Sequence, residues 1–220
     1  MFMSPSRSRR RRPRKKKSNT KKVVLIVALL AAVAVIIVAY NMLGNDDTNE
    51  NGSTQNITST QMKVLLETSM GDITIQLRDD MPITTENFKN LVQQGVYDGT
   101  IFHRVVNQPN NLVIIQGGDP TGTGYGDPSI PNIQDEFSDN SENNKNKRGT
   151  IAMANTGAAN SGSSQFFING AYNSHLDNLH PVFGEVIDGL DVVDDILDVE
   201  TDSDNRPLEY VTLIRAQLID

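Results

Sequence analysis

The sequence predicts a mainly β protein, a closed eight-stranded antiparallel barrel capped by two α-helices and preceded by a single transmembrane helix. Three observations predict it. Eight short alternating or apolar runs follow one another between residues 63 and 219, separated by Gly, Asn, Asp, Ser and Pro. Two further segments space their apolar residues as helices do. Eighteen consecutive uncharged residues, Val23–Tyr40, directly follow a polybasic block. Strands joined by irregular loops rather than long helices favour a sheet closed on itself over a βαβ arrangement.

From the N-terminus, residues 1–22 form a basic tail with six Arg, five Lys and no acid. As a helix, Val23–Tyr40 is ~27 Å long at ~1.5 Å per residue. That approaches the ~30 Å hydrocarbon core, and Met42 and Leu43 extend the segment to 23–43. Positive charge stays inside, which leaves the N-terminus cytoplasmic and the rest extracytoplasmic, a single-pass protein of the cell membrane. A cleaved secretory signal is the alternative, but the run is long and Tyr40-Asn41-Met42 lacks a small-x-small cleavage site. Residues 44–60 are Asn-, Asp-, Thr-, Ser- and Gly-rich and read as a flexible tether with sequons at Asn51 and Asn56.

The folded domain is expected over 61–220. Lys63–Thr68 and Ile73–Leu77 flank a Ser69–Asp72 turn and read as a hairpin. Thr84–Gln94 places Phe88, Leu91 and Val92 at helical spacing, with Thr84 or Thr85 as cap and Gly95 as stop. Ile101–Val106 and Leu112–Gln116 are strands about a polar turn; Thr150–Ala154, Phe166–Ile168 and Val182–Ile187 are further strands. Leu190–Leu197 is an amphipathic helix, and Tyr210–Ile219 is the closing strand.

Composition excludes several chemistries. The absence of cysteine removes disulfides, thiolate metal sites and a cysteine nucleophile. The net charge is −7, and since residues 1–22 carry +11 the remainder carries −18. An acidic domain lacks the basic face that nucleic acid requires. Gly122-x-Gly124-x-Gly126 has no βαβ unit around it to make a nucleotide loop. The spacing of His103, His175 and His180 fits no metal pattern. A serine hydrolase built on Ser163 or Ser164 with His180 and Asp177 lacks the G-x-S-x-G elbow. No cofactor and no metal are expected.

What remains is a set of uncharged hydrogen-bonding side chains gathered about one arginine. Arg104 ends the FHR step of its strand, where alternation puts it on one face with Phe102 and puts His103 on the other. Gln116, Asn155 and Gln165 stand near strand ends beside Phe or Met. Such a set suits recognition of an amide beside an apolar pocket.

The strings FHRVV (102–106), QGGDP (116–120), GTG (122–124), MAN (153–155), SQFF (164–167) and LDNLHPVFG (176–184) resemble, in order, the cyclophilin family of peptidyl-prolyl cis–trans isomerases. The resemblance covers 63–220 and implies a cyclophilin-like barrel with its groove outside. It implies rotation about X–Pro bonds of proline-containing polypeptides, here extracytoplasmic proteins during folding. Arg104 matches the catalytic arginine. Val113, Ile114, Gln116, Gly122, Ala154, Asn155, Thr156, Gln165, Phe167, His175, Leu176 and His180 match substrate-binding positions. Val113 and Ile114 stand where the family usually has Phe and Met, and the Asn107–Asn111 turn is longer than usual. His175 stands where many members have Trp, which implies weak cyclosporin binding. The chain is read as a monomer of membrane-anchored, prokaryotic type. A membrane-tethered scaffold that binds proline peptides with little turnover is the alternative, favoured by the altered pocket floor.

Overall fold

The computed structural model describes residues 62–220. The basic tail, the apolar segment 23–43 and the linker lie outside the described residues. Among the described residues no helix is long and apolar enough to cross a membrane.

The hairpin forms as its alternation requires. Strand β1 (Lys63–Thr68) pairs antiparallel with β2 (Gly71–Leu77), from Lys63 opposite Gln76 to Thr68 opposite Gly71. Val64, Leu66, Ile73, Ile75 and Leu77 are buried, and the residues between them turn outward. Helix α1 (Pro82–Gln93) follows, with proline at its first position, where no intrahelical N–H is lost. Its first free N–H groups are met from a distance: the Glu136 carboxylate accepts from Ile83 N at 3.1 Å and Thr84 N at 2.9 Å. Thr84 and Thr85, expected as caps, lie inside the helix and are buried.

The remaining elements are β3 (Thr100–Ile101), β4 (Arg104–Gln108), β5 (Leu112–Gly117), β6 (Thr150–Met153), β7 (Phe166–Asn169), β8 (Val182–Asp188), α2 (Leu190–Leu197) and β9 (Thr212–Ile219). They form one sheet of nine strands in the order β3-β9-β1-β2-β8-β6-β7-β5-β4. The expected closed eight-stranded barrel is therefore corrected to an open half-barrel with two helices. The ninth strand arises because the run expected at Ile101–Val106 breaks at Phe102–His103. Around the break, Phe102 N donates to Val211 O at 2.9 Å and Val105 N to Asn205 O at 2.8 Å. These bonds serve the backbone without a β3–β4 ladder, so both strands remain as edges. Pairing in the next hairpin continues to Gln108 opposite Leu112, leaving a short turn in which Asn110 takes φ 72°.

Inside the curved sheet lies an aromatic core. Phe88 packs against Tyr97 (ring centroids 5.1 Å apart), Phe183 (5.1 Å) and, edge-on, Phe166 (5.5 Å). The Tyr97 hydroxyl donates to Ser164 O at 3.0 Å, which satisfies its polar end at full burial. A smaller cluster, Val106, Ile114, Ala152, Phe167 and Val182, packs separately, edged by Leu112, Ala154 and Leu176.

Candidate active site

The site is assembled by strand register. Arg104 on β4 pairs with Gln116 on β5, and Gln116 with Phe167 on β7. Phe167 pairs with Ala152 on β6, and Ala152 with Val182 on β8. Residues directly opposite one another point the same way. One row across five strands therefore runs from a cation through an amide to an apolar patch. Alternation adds Ile114 and Val106 to that face.

At the polar end, Arg104 Nη1 donates to Gln116 Oε1 at 3.2 Å. Gln116 Nε2 donates to Gln165 Oε1 at 3.0 Å, and Gln165 Nε2 to Gly124 O at 3.1 Å. The polarity of this chain is forced, because arginine only donates and a carbonyl only accepts. Burial pulls the Arg104 guanidinium below the ordinary arginine range.

At the apolar end, Phe167 is buried and meets the His180 ring edge-to-face at 5.3 Å. His180 Nδ1 lies 3.1 Å from Met153 O. A carbonyl accepts only, so Nδ1 carries the proton and Nε2 is left as the acceptor. Burial lowers the His180 pKa, partly offset by the bond to Met153. Leu176 borders this patch.

Beside the polar end runs an open cleft of about 920 Å³. Gln116, Gln165, Ala154, Asn155 and Thr156 line it, together with Gly124–Asp127. Asn155 Nδ2 donates to Leu179 O at 2.9 Å, and its Oδ1 accepts from Gly157 N at 3.0 Å, which fixes the wall. Asp127 is the one charged side chain among the lining residues.

Three of the expected binding residues are placed elsewhere. Val113 packs in the interior core, because it precedes Ile114 on a strand and must face the other way. Gly122 lies against Ile101, and Gly124 and Gly126 line the cleft in its stead. His175 is exposed and lines neither the cleft nor the apolar cluster. Phe102 and Arg104, expected on one face, are divided by the strand break: Phe102 enters the core.

The serine arrangement weighed above does not assemble. Ser164 is fully buried, and the Asp177 carboxylate accepts from Asn146 N (2.7 Å) and the Tyr172 hydroxyl (2.7 Å). Among the described residues, no three His, Asp or Glu side chains gather to hold a metal ion.

Sequence reasoning missed Asp119. Its carboxylate is fully buried and accepts from Thr121 N (2.9 Å), Thr121 Oγ1 (2.8 Å), Gly124 N (2.7 Å), Gly126 N (3.2 Å) and Thr123 Oγ1 (3.3 Å). Burial opposes its ionisation, but these donors outweigh burial and hold the carboxyl below the usual range. The signal was present: one Asp followed by the Gly- and Thr-rich run 121–126.

Residues 63–218 match the family model for cyclophilin type peptidyl-prolyl cis-trans isomerases. A peptidyl-prolyl cis-trans isomerase of Schizosaccharomyces pombe is 45% identical over 156 residues, 70% of this chain and 96% of that protein. One from Arabidopsis thaliana is 41% identical over 159 residues, covering 72% of this chain and 94% of the relative. The crystal structure of a Cryptosporidium parvum cyclophilin type isomerase, determined in the presence of the dipeptide Ala-Pro, superposes with a TM-score of 0.65 at 29% identity. It covers 72% of this chain and 99% of its own. With the fold, the register row and these relatives in agreement, the chain belongs to the cyclophilin-type peptidyl-prolyl cis-trans isomerases.

Proposed function

We propose that this isomerase holds the proline ring on the Ile114, Phe167, Leu176 and His180 patch while Arg104 stabilises the twisted amide. The register row carries this reading. Arg104 and Phe167 are two strands apart, about 10 Å, roughly the span of three extended residues. One X–Pro unit spans roughly 7 Å, and the long Arg104 side chain covers the remainder, so the unit can meet both ends at once. Rotation about X–Pro faces a barrier of ~18–20 kcal/mol because the C–N bond is partly double. In the twisted state that conjugation is lost and the proline nitrogen regains a lone pair. The guanidinium donates to it, and Gln116 keeps the fork aimed. A contact made with the twisted amide and not with either planar isomer lowers the barrier. No nucleophile is required. The residues preceding proline lie along Ala154, Asn155 and Thr156, and Gln165 faces them. The Ala-Pro dipeptide named for the Cryptosporidium parvum relative fits this substrate class.

Removing Arg104 costs on the order of 2.7–4 kcal/mol by analogy with lost transition-state donors, a roughly hundred- to thousandfold fall in kcat. Arg104→Ala turning over an Ala-Pro peptide at the wild-type rate would overturn this assignment. The same assay answers the scaffold alternative, which requires binding without turnover.

The place of action is a second proposal and rests on the sequence of residues 1–43 alone. A basic block followed by an uncharged apolar run supports an isomerase directed to the cell membrane and acting on extracytoplasmic proteins. Proteolysis of intact cells that leaves residues 62–220 untouched would refute it.

A further inference from the structure

The hydrogen-bonded chain that begins at Arg104 does not end at Gln165. Gly124, whose carbonyl receives Gln165, gives its own N–H to the buried Asp119 carboxylate at 2.7 Å. One residue is thus gripped from both sides. Asp119 also gathers Thr121 N and Gly126 N, so the loop's positive φ turns at Gly122, Gly124 and Gly126 close around a single carboxylate. From outside, the Arg206 guanidinium donates to Thr123 O. A Cβ on Gly124 would stand 3.2 Å from His103 Cδ2, so the loop also packs directly on the residue preceding Arg104.

We propose that Asp119 is a positioning residue for catalysis, fixing the Arg104 guanidinium through Gly124, Gln165 and Gln116. This rests on the assignment of Arg104 as the catalytic cation. Each link has a fixed direction, so a shift at one end has no alternative pairing along the way. If Gly124 O moves, Gln165 turns, Gln116 loses its partner, and the guanidinium loses its aim. No side chain in this path except Arg104 need touch the reacting bond. Asp119 itself does not line the cleft.

Asp119→Asn is the discriminating change because the two side chains have the same shape. Both carboxylate oxygens receive backbone N–H groups, Thr121 N on Oδ1 and Gly124 N with Gly126 N on Oδ2. Whichever way the amide turns, its NH₂ meets a donor. The expected result on the full chain is a fall in kcat on the order of ten- to a hundredfold with KM within about twofold, as a misplaced catalytic group gives. The ¹H–¹⁵N signal of the Arg104 guanidinium should shift, and in an Arg104→Ala background Asp119→Asn should cost nothing further. If Asp119→Asn does not fold, Thr121→Val removes one donor and leaves the carboxylate, and should show a smaller loss with the same dependence on Arg104.

Three outcomes overturn the inference alone: wild-type turnover of the folded variant, an unmoved Arg104 signal, or a loss that adds in full to that of Arg104→Ala. Wild-type turnover by Arg104→Ala itself would instead remove the catalytic assignment on which the inference stands.

Discussion

Two glycines with nearly the same backbone make a controlled pair. Gly124 has φ +87° and Gly157 has φ +84°, but an added Cβ at Gly124 meets the His103 ring at 3.2 Å, whereas at Gly157 it meets nothing within 4 Å. Alanine in the left-handed region costs ~1–2 kcal/mol, offset by ~0.4–1 kcal/mol from the stiffer unfolded chain. Gly157→Ala should therefore lose no more than about 1.6 kcal/mol, roughly 6 °C or less in Tm for a domain of this size. Gly124→Ala pays the same backbone cost and also overpacks a buried histidine, which adds ~1–3 kcal/mol. The total of roughly 1–4.6 kcal/mol corresponds to a drop of about 2–18 °C. Because Gly124 O holds Gln165, its kcat should fall as well, while Gly157→Ala should turn over normally. Thermal unfolding by circular dichroism and an Ala-Pro peptide assay read both quantities. Equal melting temperatures for the two variants would refute the steric argument, and full activity in Gly124→Ala would break the link to Arg104.

Stability should depend on pH through two histidines. Burial lowers the pKa of both His103 and His180, and Arg206 and Arg104 add repulsion at His103, opposed by Asp119. The unfolded chain then binds protons first, so stability is full above about pH 6.5 and declines as pH falls from there towards the folded values; a Tm unchanged between pH 7.5 and pH 5 would contradict this. Phe167→Ala removes the buried ring that faces His180 and should raise KM for an Ala-Pro peptide while costing ~3–5 kcal/mol of stability, measured by urea unfolding. Glu136→Ala uncaps α1 and should cost ~1 kcal/mol with kcat unchanged, a stability loss read as the shift in urea midpoint.

Elements set by local pattern were legible in the sequence. β1, α2 and the apolar face of α1 follow from period and turn residues alone, and so does the interior placement of Ile73 and Ile75. Elements set by distant partners were not legible. The cap of α1 is Glu136, more than fifty residues along the chain, and no local rule points to it. Asp119 draws its meaning from donors that converge only when the loop closes. At Val113 the period-two alternation of the strand decides the side chain's face, against the family match of that position. Two consecutive strand residues cannot both floor one pocket, and of the two it is Ile114 that reaches the outer face.

The two-residue interruption at Phe102–His103 explains both the open sheet and the site. On an unbroken strand, Phe102 and Arg104 would share a face. With Phe102 in the aromatic core, the guanidinium would be buried there without a partner, at a cost of several kcal/mol. The interruption shifts the phase. Phe102 stays inside, with its ring 6.3 Å from that of Phe166, and Arg104 emerges outside in register with Gln116. His103 is left between them, buried, with neither ring nitrogen hydrogen-bonded. The same break ends the β3 ladder before β4 begins, so the sheet cannot close at this seam. Openness here is the geometric consequence of moving one cation from the inside of a curved sheet to its outside.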